Sequence, residues 1–492
     1  MEIAIKPTNY LVVALHLITK CSLSPGSSLL RVSSPRSPVS SAFVKRRVDL
    51  INDPVGRSLR LFSVPIALSF IINMIYSLVD RYYVSRLGDA AIAAIGSTDQ
   101  IVFFLFTLVS GIAVGAGIIV SRRFGEGDAH GAQRTATQSL VGMALMAAVV
   151  TGLFYLAMPA IPVMMRMPPD VAVYSMDYLG MLLIGFTFNL TNFHIFSLAR
   201  STGNAMFPTV VLVLTVVLNA IIAPFLIFGI GPFPQLGMKG AGLATALAQM
   251  SGTVIAMTAL LGGKTNLRLD FSDFQLDASL LMRVIRQGLP ASIQMLSVSL
   301  NRAVIFSMVG AFGTSASAAY TLGLNVDMVA FMTVFAVGIA VQTAAGQNLG
   351  AGKVERVWQF FRSASLQLSV LMIILAIAVW LFGQNFVMAY TTSASTVAEA
   401  TNYLHITVFG YVFFAVGLVA VRVISGAGAS MLAMAITAGS LMGVQLPLCY
   451  ILSHLTSLGV TGIWIGIPTG YAIFCLIAYA VMRKGRWLSA SI

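Results

Sequence analysis

The sequence predicts an all-α integral membrane protein of twelve transmembrane helices, arranged as two pseudo-symmetric six-helix bundles. Three observations carry that prediction: a scarcity of charge, apolar runs of helical membrane-spanning length, and an internal repeat. The chain has 492 residues, of which 58% are hydrophobic and 9% charged, and its mean hydropathy is +0.90. A soluble domain carries about a quarter charged residues. Apolar runs of about twenty residues suffice to cross a hydrocarbon core of ~30 Å as helices, and such runs recur from Leu61 nearly to the C-terminus.

Punctuation by Gly, Pro and clustered charge places the spans near 61–84, 98–121, 133–157, 172–199, 206–229 and 239–262, then 289–312, 325–348, 359–384, 397–421, 429–454 and 461–482. Residues 1–60 are rich in Ser, Pro and Arg and read as a disordered N-terminal extension; a transit peptide is the alternative. The remaining division is a bundle over 61–264, a cytoplasmic linker over 265–288, a second bundle over 289–482 and a cytoplasmic tail over 483–492.

Net charge is +13, which in a soluble protein would suggest nucleic acid. The distribution of the cations argues otherwise. With the N-terminus inside, the inner loops and tail hold fifteen Lys and Arg, among them Arg122, Arg123, Arg283, Arg286 and Arg356, whereas the outer loops hold only Arg86, Arg166 and Lys239. That asymmetry is the positive-inside pattern. It predicts cytoplasmic N- and C-termini, contact with anionic lipid headgroups and no nucleic-acid partner.

A single shift of 225 residues, without a gap, superposes the first two spans on the seventh and eighth. Pro65 falls on Pro290, Gly88 on Gly313, Gly125 on Gly350 and Gly127 on Gly352, and the same register carries Gly203 onto Gly428 and Met206 onto Met431. Six helices per half is an even number, so both halves start on the same side and the repeat is parallel, with a substrate cavity expected between them.

An ionisable side chain in a membrane span costs at least ~2.5–3.5 kcal/mol and persists mainly where it faces a cavity or a partner. Asp80, late in the first span, is the leading candidate. A carboxylate there can exchange a proton for a cation; the bland alternative is an ion pair with neighbouring Arg81. Arg302 reads as a snorkelling side chain or a transport residue. His405 reads as satisfying a local hydrogen bond, and Asp99 and Asp327 as favouring helix N-termini.

The Gly-rich turns Ser121–Asp128 and Gly346–Lys353 lack the GK[ST] ending of a phosphate loop, and no strand precedes them. Nucleotide hydrolysis is therefore unsupported, and the expectation is a gradient-driven secondary transporter rather than an enzyme, without a cofactor. Of the three cysteines, Cys449 and Cys475 lie in apolar runs, which favours neither a disulfide framework nor a thiolate metal site. The 25 Met and 30 Phe suit a cavity that adapts to flat apolar cations.

Together these features resemble the multidrug and toxic compound extrusion (MATE) family of cation antiporters, over about residues 61–482. The resemblance rests on the Asp80 segment leading to Gly88, the two Gly-rich turns, Arg200-Ser-Thr-Gly-Asn204, Asn219 with Pro224–Gly229, and Gly240–Thr245. It implies alternating access and export of amphipathic organic cations in exchange for H⁺ or Na⁺, by a multi-pass protein of the plasma (bacterial inner) membrane. It also implies a cation-coupling set of Asp80, Asn219 and Thr245. The family's second acid, one turn beyond Asn219, is here Ala223. Losing a hard anionic ligand weakens a Na⁺ site more than a proton site, so H⁺ is the expected coupling ion, with weak Na⁺ binding at the same three residues as the alternative.

A rise of ~1.5 Å per residue puts Asp80 about 12 Å before Gly88, Asn219 about 15 Å before Gly229 and Thr245 about 12 Å beyond Gly237, one common depth in the outer half. A monomer is expected. The alternative substrate reading is a lipid-linked oligosaccharide flippase of the same superfamily, which would need cavity cations where the spans offer Arg302. A channel or scaffold is the reading from a different class.

Overall fold

The computed structural model describes residues 48–263, 265–271 and 274–490. Among the described residues, twelve helices are long and apolar enough to span a membrane: α1 Val55–Ser85, α2 Asp89–Gly125, α3 Ala129–Met164, α4 Pro169–Ser201, α5 Met206–Phe228 and α6 Met238–Leu261, then α7 Ala278–Gly310, α8 Thr314–Gly350, α9 Val354–Met388, α10 Ala394–Gly426, α11 Ser430–His454 and α12 Val460–Arg483. In hydrocarbon every backbone polar group needs an internal partner, and the helix supplies it.

The repeat is visible in the geometry. α2 and α8 each have 37 residues, and each is entered through a glycine at strongly positive φ, Gly88 at 109° and Gly313 at 106°. At those values a side chain would be strained, so glycine is required. α6 crosses α5 with Gly240 against the Leu226 carbonyl, and α12 crosses α11 with Gly462 against the Leu452 carbonyl.

Several boundaries differ from the sequence reading. α1 begins at Val55 and α7 at Ala278, so the first extends into the expected N-terminal extension and the second into the expected linker. Residues 1–47 of the extension lie outside the described residues. Residues 48–54 pack: Leu50 is 1% exposed, and its carbonyl accepts from Asn348 Nδ2 at 3.0 Å. The Val48 amide donates to the Gly203 carbonyl. The segment therefore ties the α4–α5 turn to the end of α8. In the tail, Trp487 is buried and donates to the Met482 carbonyl at 2.7 Å. α7 begins with Asp277 accepting from the Leu280 amide at 3.0 Å and pairing with Arg134 of α3 at 2.9 Å. The Leu280 amide and the Ser279 hydroxyl hold the Asp277 carboxyl below the usual carboxylate range.

Contacts between the halves gather at the end marked by Gly125 and Gly350. A β-carbon on Gly125 would overlap the Gln347 carbonyl, and one on Gly350 the Arg122 carbonyl. Further along, Gly111 of α2 and Gly288 of α7 meet backbone to backbone, the small-residue contact by which helices approach without a hydrophobic drive between them. Ser292 Oγ donates to the Leu108 carbonyl at 2.9 Å, and Ser110 Oγ reaches Met295 Sδ at 3.9 Å.

This contact generates a prediction. Forcing extra methyl groups into a packed site costs about 1–3 kcal/mol, so Gly288→Val is expected to drive α2 and α7 apart. The readout is disulfide formation between Ser110→Cys and Met295→Cys, which should be efficient with Gly288 in place and fall roughly tenfold in rate with valine, at ~1.4 kcal/mol per decade.

Candidate functional site

A cavity of about 170 Å³ opens within the N-terminal half, lined by Tyr76, Ser77 and Asp80 of α1, Asp99 and Val102 of α2, Tyr178 and Asn189 of α4, and Thr245 and Gln249 of α6. Each wall has a local cause. α1 carries Pro65 and runs on as helix to Ser85, so Tyr76 and Asp80, four residues apart, share a face. α6 lies close to α4 because Gly242 meets the Tyr178 carbonyl and Ala246 meets Gly185, leaving no room for larger residues at the two glycines. That close approach carries Thr245 and Gln249 to the same space as Asp80.

Asp80 is 7% exposed. Its Oδ2 accepts a hydrogen bond from the Tyr178 hydroxyl at 3.2 Å. Its Oδ1 is buried and has no hydrogen-bond partner among the described residues. Burying an unpartnered carboxylate oxygen is costly. The expected alternative, an ion pair with Arg81, is absent from the structure: Arg81 pairs with Asp99 instead, Nη2 to Oδ2 at 2.9 Å. Residues adjacent in a helix point about 100° apart, so Arg81 turns towards α2 while Asp80 faces α4. The Arg81–Asp99 pair is half exposed on both sides and contributes little to stability.

Asn219 and Thr245 meet directly. Asn219 Nδ2 donates to Thr245 Oγ1 at 3.3 Å, and the same hydroxyl lies 3.0 Å from Tyr76 Oη. Thr245 and Asp80 line one cavity, whereas Asn219, 1% exposed, sits behind Thr245. Ala223 is fully buried in an apolar cluster with Tyr178, Ala241 and Ala244. The three residues expected from the sequence therefore converge, with Tyr76 joining them and Tyr178 holding the acid.

Two other sequence expectations change. Asp99 stands ten residues into α2 and Asp327 thirteen into α8, so neither caps a helix N-terminus. Asp327 is 5% exposed and accepts from Tyr403 at 2.5 Å and Tyr411 at 2.6 Å. Arg302 lays its guanidinium over Phe331, 4.2 Å from the ring centroid. His405 Nε2 contacts the Trp380 carbonyl at 3.1 Å, a local partner.

Tyr178 and Tyr403 were not among the sequence candidates. They lie 225 apart, the repeat register itself, so the shift that aligned the glycines would have found them. In each half this tyrosine donates to a buried carboxylate, but the acid sits on different helices: Asp80 corresponds to Ile305, and Asp327 to Val102.

Comparison with known proteins agrees with this architecture. The MatE family model matches twice, at residues 65–225 and 290–451, and the two matches begin 225 residues apart. A relative from Bacillus subtilis, "Probable multidrug resistance protein YoeA", is 28% identical over 86% of this chain and 93% of its own length. A "FAD transporter" from Shewanella oneidensis is 24% identical over 90% of this chain and 97% of its own. A solved structure described as the "Outward-facing conformation of a multidrug resistance MATE family transporter of the MOP superfamily" superposes with a TM-score of 0.83, at 22% identity, covering 91% of this chain and all of that one. With both halves matched by one family model and twelve spans in the fold, the chain belongs to the MatE family of membrane transporters.

Proposed function

We propose that this protein is an antiporter that exports amphipathic organic cations in exchange for protons by alternating access, with Asp80 as the exchanging carboxylate. The observation that carries the reading is the buried Asp80 Oδ1, left without a partner on the wall of a cavity. Tyr178 occupies the other oxygen, so one lone-pair face remains for a proton or a cation to contest. Binding either neutralises the charge, and the two cannot hold that face together, which is the requirement for exchange. Relatives named as multidrug resistance proteins support drug export as the physiological direction.

The charge distribution along the chain supports an orientation. Arg122, Arg123, Arg200 and Arg483 fall in the closing turns of α2, α4 and α12, the end where the halves are in contact. Assigning that end to the cytoplasm of a bacterial inner membrane makes the present state closed inward, with Asp80 reached from outside. A proton arriving from outside would load Asp80, and the opposite state would open the cavity towards the cytoplasm and its drug.

The coupling ion is argued from ligand chemistry. The free Asp80 oxygen, the Thr245 hydroxyl and the Asn219 amide behind it form a poor cage for a hard cation that takes six or more oxygens at its best sites, and the other carboxylate on the cavity, Asp99, is already paired with Arg81. A proton needs one carboxylate alone. Ala223 marks the missing acid, buried one turn from Asn219 in the same apolar cluster as Tyr178.

Ethidium efflux from proteoliposomes under separately imposed gradients tests the reading. A pH gradient should drive efflux through the wild type, a Na⁺ gradient should not, and Asp80→Asn should fall to the leak rate; efflux that survives in Asp80→Asn would contradict the assignment. Ala223→Asp, supplying a second carboxylate one turn from Asn219, is expected to confer Na⁺-driven efflux that the wild type lacks. An unchanged ion preference in that variant would remove the ligand argument.

A further inference from the structure

The C-terminal half carries a cation, Arg302, within its first span. The repeat register places Arg302 on Ser77, a residue that lines the N-terminal cavity. Arg302 also follows Met295 by seven residues, two helical turns, which leaves the two side chains about 20° apart on α7. Met295 touches Ser110 of α2, and Ser292 touches Gly111. Arg302 therefore continues the face by which α7 meets the other half, beyond the last of those contacts and at the level where the halves part.

Its surroundings give the guanidinium an aromatic face and a nearby charge but no hydrogen-bonded partner among the described residues. It lies flat over Phe331, near enough to the buried Asp327 carboxylate for the two charges to act on each other, and no hydrogen bond or ion pair to it within 4 Å occurs among the described residues. The nearby acid, Asp327, has one oxygen taken by the Tyr403 hydroxyl and the other by the Tyr411 hydroxyl. Phe331 is itself braced edge-on by Phe414, with centroids 4.5 Å apart, and by Tyr471 at 6.4 Å. A guanidinium stacked on a ring keeps its edge donors free, and that planar fork matches a carboxylate or phosphate. Snorkelling accounts poorly for this geometry, because the side chain folds onto α8 rather than running towards the helix end two turns away.

We infer that Arg302 on Phe331 is an anchor for an anionic group, carboxylate or phosphate, carried by a planar aromatic solute. The inference rests on the efflux reading and refines its substrate class: the solute carries a cationic part, exchanged at Asp80, and an anionic part, held at Arg302.

A matched dye pair tests it: rhodamine B, a cation bearing a free carboxylate, and its ethyl ester, which keeps the cation and loses the acid. Efflux is measured in vesicles of phosphatidylcholine, where no anionic headgroup competes for the guanidinium. Arg302→Gln is expected to raise the KM for the acid about tenfold, the scale of one lost charge-assisted hydrogen-bonded pair, while the ester is exported as by the wild type. Arg302→Lys, keeping the charge without the fork, should export the ester normally and the acid at an intermediate KM, which guards against a folding defect. Equal loss of both dyes in the lysine and glutamine variants, or an unchanged KM for the acid, would overturn the anchor while leaving ester efflux, and the antiport reading, intact. If neither dye leaves wild-type vesicles, the efflux reading fails and the anchor fails with it.

Discussion

A carboxylate held inside a membrane with one oxygen unpaired is the feature on which the rest of this structure turns. Placing an ionisable group in hydrocarbon costs about 2.5–3.5 kcal/mol or more, and a protein that only needed stability would pair it or lose it. Here the nearest cation along the chain, Arg81, is drawn away to Asp99. Tyr178 meets one oxygen of Asp80 and a cavity meets the other. The close packing of α4 on α6 through Gly185 and Gly242 is what brings polar groups to that cavity at all.

The two halves answer the same problem differently. Each uses the repeat-related tyrosine, Tyr178 or Tyr403, to hold a buried acid. In the N-terminal half the acid belongs to α1 and faces open space. In the C-terminal half it belongs to α8 and two tyrosines satisfy it, while Phe331 packs edge-on against Phe414 and Tyr471. Duplication thus supplied the scaffold, and the halves differ at a few positions within it, Asp80 against Ile305 and Ser77 against Arg302.

Much of this was legible in the sequence because the relevant physics is coarse. Span count follows from apolar length, and the repeat from glycines whose backbone angles no other residue tolerates, such as Gly88 and Gly313. Asp80, Asn219 and Thr245 could be grouped by depth, since helical rise is constant. Helix ends were harder: α2 and α8 begin nine and eleven residues before the expected starts, at Asp89 and Thr314, because the turns at Gly88 and Gly313 start them, and the polar residues within, Asp99 and Asp327 among them, do not interrupt the helix. Asp99 and Asp327 were misread as terminal for that reason. Tyr178 was passed over because a tyrosine in an apolar run reads as packing until its partner is known, and the choice by Arg81 between Asp80 and Asp99 depends on helix rotation.

If the unpartnered oxygen of Asp80 is where drug and proton compete, binding one must expel the other. The direct measurement is the number of protons released when ethidium binds to the purified protein in weakly buffered detergent, for wild type and Asp80→Asn. The account predicts proton release that tracks drug occupancy in the wild type and none from the asparagine variant. Equal release from both, or drug binding to the wild type with no proton released at any pH, would contradict it.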